Sequence, residues 1–169
     1  MIQIKGTKTQ PLAQPIKRAT SDSACWDVSA CLTEGTKVQV YSMWNESDVR
    51  TVMEGQITLF GGERALIPTG WIFDIPRRYS MRLHPRSGLA WKQGMTLTNA
   101  QGVIDSDYVQ ETYVLIWNTT EVQVVIRHGD RIAQLEILPV LEFEFGEQSD
   151  APDVKTDRQG GFGSTGISS

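Results

Sequence analysis

The stretch that begins at Asn99 and ends at Tyr108 carries the side chains best suited to chemistry. Gly102 permits a tight bend or the close approach of a flat molecule. Asp105 and Asp107 follow two positions apart, and residues at that spacing on an extended strand point the same way. A bend with free backbone donors, a carboxylate and an aromatic ring could read a base and a sugar and activate a water molecule. A hairpin of this composition with no chemical role is the commoner outcome.

A second polar group, Arg86 and Ser87, lies between a predicted strand and a predicted short helix over residues 87–92. Free backbone N–H groups and the helix dipole favour negative charge at a helix start, so this is a candidate phosphate site. Ser87 could instead only cap the helix, and the sequence leaves both interpretations open.

Three further polar residues lie within apolar runs. Asp27 falls in a strand-like run, where a buried carboxylate needs an arginine or a hydrated metal ion as a partner, and the ion pair is the commoner outcome. Arg131 and Gln134 begin a strand after a tight turn. Their odd spacing predicts that they face opposite ways, so that one makes an ion pair while the other reaches a ligand.

Alternating runs predict the strands that must position these groups, over residues 1–4, 37–41, 56–60, 65–67, 71–75, 79–83, 112–117, 122–126 and 131–140. Many short strands at this spacing favour a sandwich or a barrel. Outside residues 87–92, only part of 46–53 is predicted to be helical. The polar segment 42–54 is predicted to interrupt the strands and to leave the core.

The composition of the chain narrows its class. With 169 residues, of which 40% are hydrophobic, one domain with a real core is expected. The net charge of −4 disfavours a general nucleic-acid scaffold. Cys25 and Cys31 lack zinc-site spacing, which favours a reduced protein with ordinary packing thiols. Since no run approaches the roughly 18 apolar residues of a membrane span and no signal peptide is seen, we expect a cytoplasmic protein, in the host cytoplasm if its source is viral.

The end of the chain differs in composition from the rest. We expect a β-rich domain over residues 1–147 and a flexible arm over 148–169, which is rich in Asp, Gly and Ser. The arm holds Arg158 and Phe162 among glycines and hydroxyl groups. Such a backbone can wrap phosphates, and the ring can stack on a base, so that a lid and a disordered tail are both open interpretations.

Taken in order, these stretches resemble the motifs of the trimeric dUTP pyrophosphatase (dUTPase) family over most of the chain outside residues 41–63. The resemblance is carried by Pro85-Arg-Ser-Gly-Leu-Ala90, Gly102-Val-Ile-Asp-Ser-Asp-Tyr108, Arg131-Ile-Ala-Gln134 and Gly160-Gly-Phe-Gly-Ser-Thr-Gly166. It implies an all-β, jelly-roll-like β-barrel subunit with one short helix and a mobile C-terminal arm, in a homotrimer with shared active sites. It also implies hydrolysis of dUTP to dUMP and pyrophosphate with Mg²⁺, which limits uracil in DNA and supplies dUMP for dTMP synthesis.

The resemblance implies roles for the matching residues. Asp105 would activate water, and Tyr108 would pack on deoxyribose and leave no space for a 2′-hydroxyl. Uracil would be read by Asn99, Gly102, Val103, Ile104 and the backbone of Asp105, which together reject cytosine and thymine. The phosphates would meet Arg86, Ser87, Gly88 and Gln134, with Arg131 as a structural partner and Asp27 holding magnesium through water. The lid residues would be Arg158, Phe162, Gly163, Ser164 and Thr165.

The sequence departs from the family pattern in three places. Ala24-Cys-Trp-Asp-Val28 stands where Ala-Gly-Tyr-Asp-Leu is usual, and the lid motif is one residue short after Arg158. The segment 41–63 is longer than the usual connection, and is either a structural extra or a docking surface for another protein. Two alternatives follow: a binding or signalling protein that acts through this segment, and a dCTP deaminase-like enzyme, which would need a Glu-centred site.

Overall fold

The computed structural model of the chain describes residues 2–157. Its strands are β1 (Lys5–Lys8), β2 (Trp26–Ser29), β3 (Lys37–Tyr41), β4 (Ser47–Thr51), β5 (Gln56–Leu59), β6 (Arg64–Pro68), β7 (Trp71–Asp74), β8 (Tyr79–His84), β9 (Met95–Leu97), β10 (Gly102–Ile104), β11 (Tyr113–Asn118), β12 (Val124–Arg127) and β13 (Arg131–Pro139). One helix, α1 (Ser87–Gln93), lies between β8 and β9.

Two larger sheets make up most of the fold. The four-stranded sheet has the order β10-β8-β13-β2, and the five-stranded sheet has the order β4-β3-β6-β11-β9. Strand β1 pairs with β7 and β12 pairs with β5, each as a two-stranded sheet. The prediction of an all-β, jelly-roll-like fold is confirmed, although the strands described in residues 2–157 form open sheets and no closed barrel.

The alternation of side chains explains why these segments are strands. In β3, Val38 and Val40 are fully buried while Lys37 and Gln39 are exposed. Strand β11 buries Val114 in the same way. Successive residues of a strand point to opposite faces, so each strand places one apolar face inward. The buried apolar side chains of all four sheets meet in a single core.

Helix α1 ends at Gln93 and is capped by Gly94. Gly94 adopts a left-handed conformation with φ of 60°, and its N–H donates a hydrogen bond to the carbonyl oxygen of Leu89. A side chain at position 94 would also overlap Thr120. Glycine therefore stops the helix and turns the chain into β9.

The structure corrects the interpretation of residues 42–54. The part of 46–53 that was predicted to be helical is strand β4, which pairs with β3 at the edge of the five-stranded sheet. Because an edge strand has one free side, a polar sequence is well suited to it. Val52, in the same segment, is fully buried in the core, so the prediction that residues 42–54 interrupt the strands and leave the core is wrong.

A buried ion pair holds β4 in place. Two nitrogens of Arg50 each lie 2.6 Å from an oxygen of Glu63. Burial raises the pKa of Glu63, but hydrogen bonds from Arg50 and from the Phe60 N–H, together with the attraction of Arg50, outweigh it and lower the pKa from its usual 4.5. No local pattern in the sequence links these residues.

The strand predicted over residues 1–4 is also misplaced. Ile2 to Ile4 lie outside any strand, and β1 begins at Lys5 because its residues pair with Asp74 and the rest of β7. Over residues 2–157, no helix is long and apolar enough to cross a membrane.

Candidate active site

One polar cluster lies at the end of the four-stranded sheet where β2, β13 and the turn after β8 meet. Arg86 Nε lies 3.0 Å from Asp27 Oδ1, and Arg131 Nη1 lies 2.9 Å from Asp27 Oδ2. Arg86 also donates a hydrogen bond to the carbonyl oxygen of Arg131 at 3.0 Å. Asp27 is the most buried of the three, so its carboxylate fixes the positions of both guanidinium groups.

Gln134 belongs to the same cluster. Its side-chain nitrogen donates a hydrogen bond to the carbonyl oxygen of Pro85 at 3.0 Å. A side-chain amide nitrogen carries two N–H donors, so this contact orients the group and leaves a second donor for a ligand.

The prediction that Arg131 and Gln134 face opposite ways is wrong. Arg131 pairs with Ser29 and Gln134 pairs with Asp27, while a β-bulge shifts the register between Arg131 and Ala133. A bulge adds one residue to one strand. Arg131 and Gln134 are three residues apart in the sequence, but their partners Ser29 and Asp27 are only two apart. The two side chains therefore lie on the same face of the sheet.

Ser87 and Gly88 lie at the start of α1, beside Arg86. The helix has Arg86 at its N-cap position and no side-chain capping hydrogen bond, so the interpretation of Ser87 as the cap is wrong. Both residues are exposed, and a side chain added at Gly88 would meet nothing within 4 Å. The backbone of this turn is open to an approaching anion.

A cavity of about 260 Å³ lies next to β10. It is lined by Leu66, Leu83, Leu97, Asn99, Gly102, Val103, Ile104, Asp105, Tyr108, Thr112, Tyr113 and Leu115. The structure thus brings together every residue that the resemblance assigned to the base, the sugar and water activation. Its mostly apolar walls with a few polar groups suit a flat heterocycle.

Local contacts shape this cavity. A side chain at Gly102 would lie 3.3 Å from the Asn99 amide nitrogen and 3.4 Å from Leu83 Cβ, so glycine keeps the backbone close to Asn99. The Tyr108 N–H donates a hydrogen bond to the Asp105 carbonyl oxygen at 3.2 Å. The Tyr108 hydroxyl donates to the Glu111 carbonyl oxygen at 2.9 Å. These two bonds hold the ring and the carboxylate in one turn.

Sequence reasoning missed Tyr113 as a cavity residue. Burial, and after it the nearby Glu111 and Tyr108, raises the pKa of Tyr113 above its usual 10.0, so the phenol stays protonated near neutral pH. The alternation of β11 could have identified it, because Tyr113 and Leu115 point away from the core while Val114 points into it.

Strand β8 lies between this cavity, which we call the base cavity, and the cluster of Asp27, Arg86, Arg131 and Gln134, which we call the phosphate cluster. Ile104 pairs with Met81 on one side of β8, whereas Gln134 pairs with His84 on the other side. Strand spacings put the Cα atoms of Asp105 and Gln134 about 16 Å apart. At that distance the two side chains could meet on one phosphoryl group within a single copy only if both were fully extended toward each other.

The donors present limit how magnesium could bind. In residues 2–157, no three His, Cys, Asp or Glu side chains are grouped to hold a metal ion. Asp27 is the only residue predicted to contact magnesium, and both of its oxygens face arginines. These donors fit an ion that is carried by phosphate oxygens and that meets Asp27 through water, which is a common mode for Mg²⁺.

The predicted lid residues Arg158, Phe162, Gly163, Ser164 and Thr165 lie outside the described residues.

Comparison with known sequences gives consistent matches. A sequence model of the dUTPase family matches residues 48–166. The deoxyuridine 5′-triphosphate nucleotidohydrolase of Rhizobium etli CFN 42 is 46% identical over 122 residues, which are 71% of this chain and 78% of that protein. The enzyme of the same name from Aquifex aeolicus is 48% identical over 97 residues, which are 57% of this chain and 65% of that protein.

Solved structures share the fold. A point mutant of the dUTPase of Staphylococcus bacteriophage 80alpha, with dUpNHpp, superposes with a TM-score of 0.76 at 20% identity, covering 99% of this chain and 100% of that one. A point mutant of the dUTPase from phage phi11 of S. aureus, described as coordinating a structural Mg(II) ion, gives a TM-score of 0.68 at 18% identity, covering 88% and 98%.

Proposed function

The chain belongs to the dUTPase family, and from that premise we propose that it hydrolyses dUTP to dUMP and pyrophosphate. Such an activity limits uracil incorporation into DNA and supplies dUMP for dTMP synthesis. The observation that carries the proposal is the base cavity, where Asn99 and Gly102 adjoin Asp105 and Tyr108. A cytoplasmic location, in the host if the source is viral, is part of this proposal.

The cavity provides the selection for deoxyuridine. Asn99 and the stretch from Gly102 to Asp105 line the cavity and carry donors and acceptors that can pair with the edge of uracil. We expect the site to reject a 5-methyl group by size. Tyr108, which is held by its bond to the Glu111 carbonyl oxygen, packs on the sugar and leaves no space for a 2′-hydroxyl.

The reaction begins with the Asp105 carboxylate, which takes a proton from a water molecule as that water attacks the α-phosphorus in line. The bond between the α-phosphorus and the bridging oxygen breaks, and pyrophosphate leaves. Arg86, the second amide N–H of Gln134 and the backbone N–H groups of Ser87 and Gly88 hold the phosphates as their charge grows.

Magnesium, when bound, neutralises phosphate charge and orients the chain of phosphates. Asp27 is the residue in this chain that would hold it, through water. Because Asp27 also pairs with Arg86 and Arg131, its carboxylate would link a bound ion to these two arginines.

We place the complete site between copies of the chain, in a homotrimer with shared active sites. The separation of Asp105 from Gln134 supports this arrangement, since a phosphate held by the Arg86 cluster of one copy needs the carboxylate of another. On this arrangement, Asp105 and the base cavity come from one copy and the Arg86 cluster comes from its neighbour.

The segment after β13 also supports association of copies. Leu141, Phe143 and Phe145 are 79%, 72% and 94% exposed and alternate with Glu142 and Glu144. This is the pattern of a strand with one apolar face, and residues 2–157 leave that face exposed.

A groove of about 1120 Å³ beside β1 fits such a strand from another copy. Trp26, Trp71 and Phe73 contribute its apolar wall, and Lys5 and Lys8 lie at its edge, opposite in charge to the glutamates. As part of the same proposal, Arg158, Phe162, Gly163, Ser164 and Thr165 serve as the lid over the nucleotide.

A single assay tests the proposed function. The purified protein is incubated with dUTP, UTP, dTTP or dCTP, with magnesium and with a chelator, and pyrophosphate and ammonia are measured. We expect pyrophosphate from dUTP alone, with a strong dependence on magnesium. Equal turnover of UTP or dTTP would contradict the cavity assignment, and ammonia from dCTP would point to the deaminase alternative, which membership of the dUTPase family does not favour.

A docking role for the segment 41–63 is a second proposal. Its tip exposes Met43 and Trp44, by 62% and 75%, although the rest of the segment is built into the sheets. A pull-down that compares the natural chain with a Met43→Ser, Trp44→Ser variant tests it. Identical captured proteins would leave the segment with a structural role only.

A further inference from the structure

His84 lies beside the phosphate cluster but has no role in the mechanism above. Asp27, Gln134 and His84 are register partners across β2, β13 and β8, so they form one row on the same face of the four-stranded sheet. Cross-strand partners have Cβ atoms about 5 Å apart. His84 is therefore the immediate neighbour of Gln134, on the side away from Asp27.

A short contact ties His84 to the next row of the sheet. Its Nε2 lies 2.8 Å from Glu136 Oε1, and the two side chains are 23% and 30% exposed. His84 is also the last residue of β8, directly before Pro85 and Arg86. The contact thus fixes the end of β8 against β13, at the place where Gln134 bonds to Pro85.

The charges that face His84 come from several elements. Glu136 comes from β13, Asp27 from β2 across Gln134, and Arg82 from β8 itself, where it pairs with Glu136 in register. Arg86 lies in the turn that follows β8.

Uncharged groups also lie on this part of the sheet. Strand β10 contributes Gly102 and Val103, and Cys25 lies close enough to Glu136 that its thiol pKa is raised, by burial first and by that carboxylate second. A nitrogen of the Arg82 guanidinium is buried without a hydrogen-bond partner. The anionic groups that the contacts and the strand register bring to His84 are Glu136 and, across Gln134, Asp27, which already faces two arginines.

We propose that His84 takes up a proton when a triphosphate binds, so that its imidazolium pairs with Glu136 and adds positive charge beside Gln134. The inference rests on the proposed function, since it needs the phosphates to bind at Gln134. The proton comes from solvent, and no bond to the substrate forms. His84 is in this account a positioning residue: it acts through Gln134 and through the turn at Pro85.

Electrostatics gives the reason. Histidine is the side chain whose charge most readily changes near neutral pH. A polyanion placed one strand away favours the charged form of the ring, and by linkage the charged form favours binding of the polyanion. The contact with Glu136 becomes a charge-assisted hydrogen bond at the same time, which is stronger than its neutral counterpart.

Calorimetry of dUpNHpp binding, with magnesium at pH 7 and in two buffers of different ionisation enthalpy, measures the protons taken up per site. The chain has two histidines, and His128 lies in the turn between β12 and β13. His84→Gln keeps a donor for Glu136 but cannot be protonated, while His128→Gln is the matched control. We expect the natural chain and His128→Gln to take up the same amount, and His84→Gln to take up less.

Equal uptake by His84→Gln and by the natural chain would overturn the inference, while hydrolysis of dUTP by both would leave the proposed function standing. Failure of the natural chain to bind dUpNHpp or to hydrolyse dUTP would instead overturn the proposed function itself.

A second readout is the pH dependence of KM for dUTP. We expect KM to rise more steeply from pH 6 to about 8 in the natural chain than in His84→Gln, and identical slopes would also count against the inference.

Discussion

Arg86 Nε and Asp27 Oδ1 lie 3.0 Å apart, which joins the turn before α1 to the middle of β2. The second oxygen of the same carboxylate holds Arg131. One partly buried carboxylate, that of Asp27, thus sets the positions of two arginine side chains at the end of the four-stranded sheet.

Asp27→Asn removes the charge that orients both arginines. We expect a loss of about 1–2 kcal/mol in the free energy of unfolding, because the pairs are only partly buried. We also expect a clear rise in KM for dUTP, since Arg86 is no longer fixed. Urea denaturation and steady-state kinetics measure the two effects. Asp74→Asn, at an exposed position of β7, is the control and should behave like the natural chain.

Asp105→Asn removes the proposed general base. Turnover should fall by on the order of a hundredfold or more, as is usual for loss of general-base catalysis, while dUpNHpp should still bind. Asp107→Asn, two positions further along the same turn, is the matched control and should retain most of the activity. Pyrophosphate release from Asp105→Asn at the natural rate would remove Asp105 from this role.

Gly102→Ala tests the close approach of backbone to Asn99. The new methyl group would lie 3.3 Å from the Asn99 amide nitrogen and must displace it by a few tenths of an ångström. We expect KM for dUTP to rise by up to about tenfold, with the fold intact, because small misplacements at a site are costly. Gly146→Ala, where an added side chain meets nothing within 4 Å, is the control for a change from glycine to alanine. Unchanged KM in Gly102→Ala would show that Asn99 does not read the base.

The pH dependence of stability follows from Glu63. Its pKa is lowered in the fold from the usual 4.5, so its ion pair with Arg50 stabilises the protein above that pH and is lost as the pH falls below it. Glu63→Gln should lose about 2–4 kcal/mol at pH 7, because it leaves Arg50 without its carboxylate partner.

Unfolding by urea measured from pH 7 to about pH 3 checks the sign of this effect. The gap between the natural chain and Glu63→Gln should narrow as the pH falls. A gap that stays constant over this range would contradict the assignment of the ion pair.

Removal of residues 158–169 tests the proposed lid. The buried apolar residues of 2–157 already form one packed core, so we expect the shortened chain to fold and associate like the natural one. Its activity should be poor, because Arg158 and Phe162 are missing from the closed site. Light scattering and dUTP hydrolysis give the two answers, and full activity after truncation would reject the lid.

Local patterns in the sequence were enough to locate most of the fold. Strands β3, β8 and β11 follow alternation that a single segment reveals, and α1 lies between a proline and a glycine that bound it. Strand β4 was missed because an edge strand needs little apolar character, and its anchor Glu63 is fixed by tertiary contact with Arg50 rather than by local preference.

The site was predictable in its residues but not in its geometry. The alignment of Arg131 with Gln134 depends on a bulge that no spacing rule announces. The pairing of Asp27 with Arg86 joins segments that are distant in sequence, as does the row that contains His84. Tyr113 could have been found from the alternation of β11, once the partner strands of β11 were known.

Strand β8 lies between β10, beside the cavity proposed to read the base, and β13, beside the cluster proposed to bind the phosphates. In genetic terms, a chain that has lost Asp105 and a chain that has lost Arg86 carry lesions in different halves of the proposed site. Mixed assemblies of two such alleles would contain some sites that are whole, so the two defects should complement each other, whereas each allele alone stays defective.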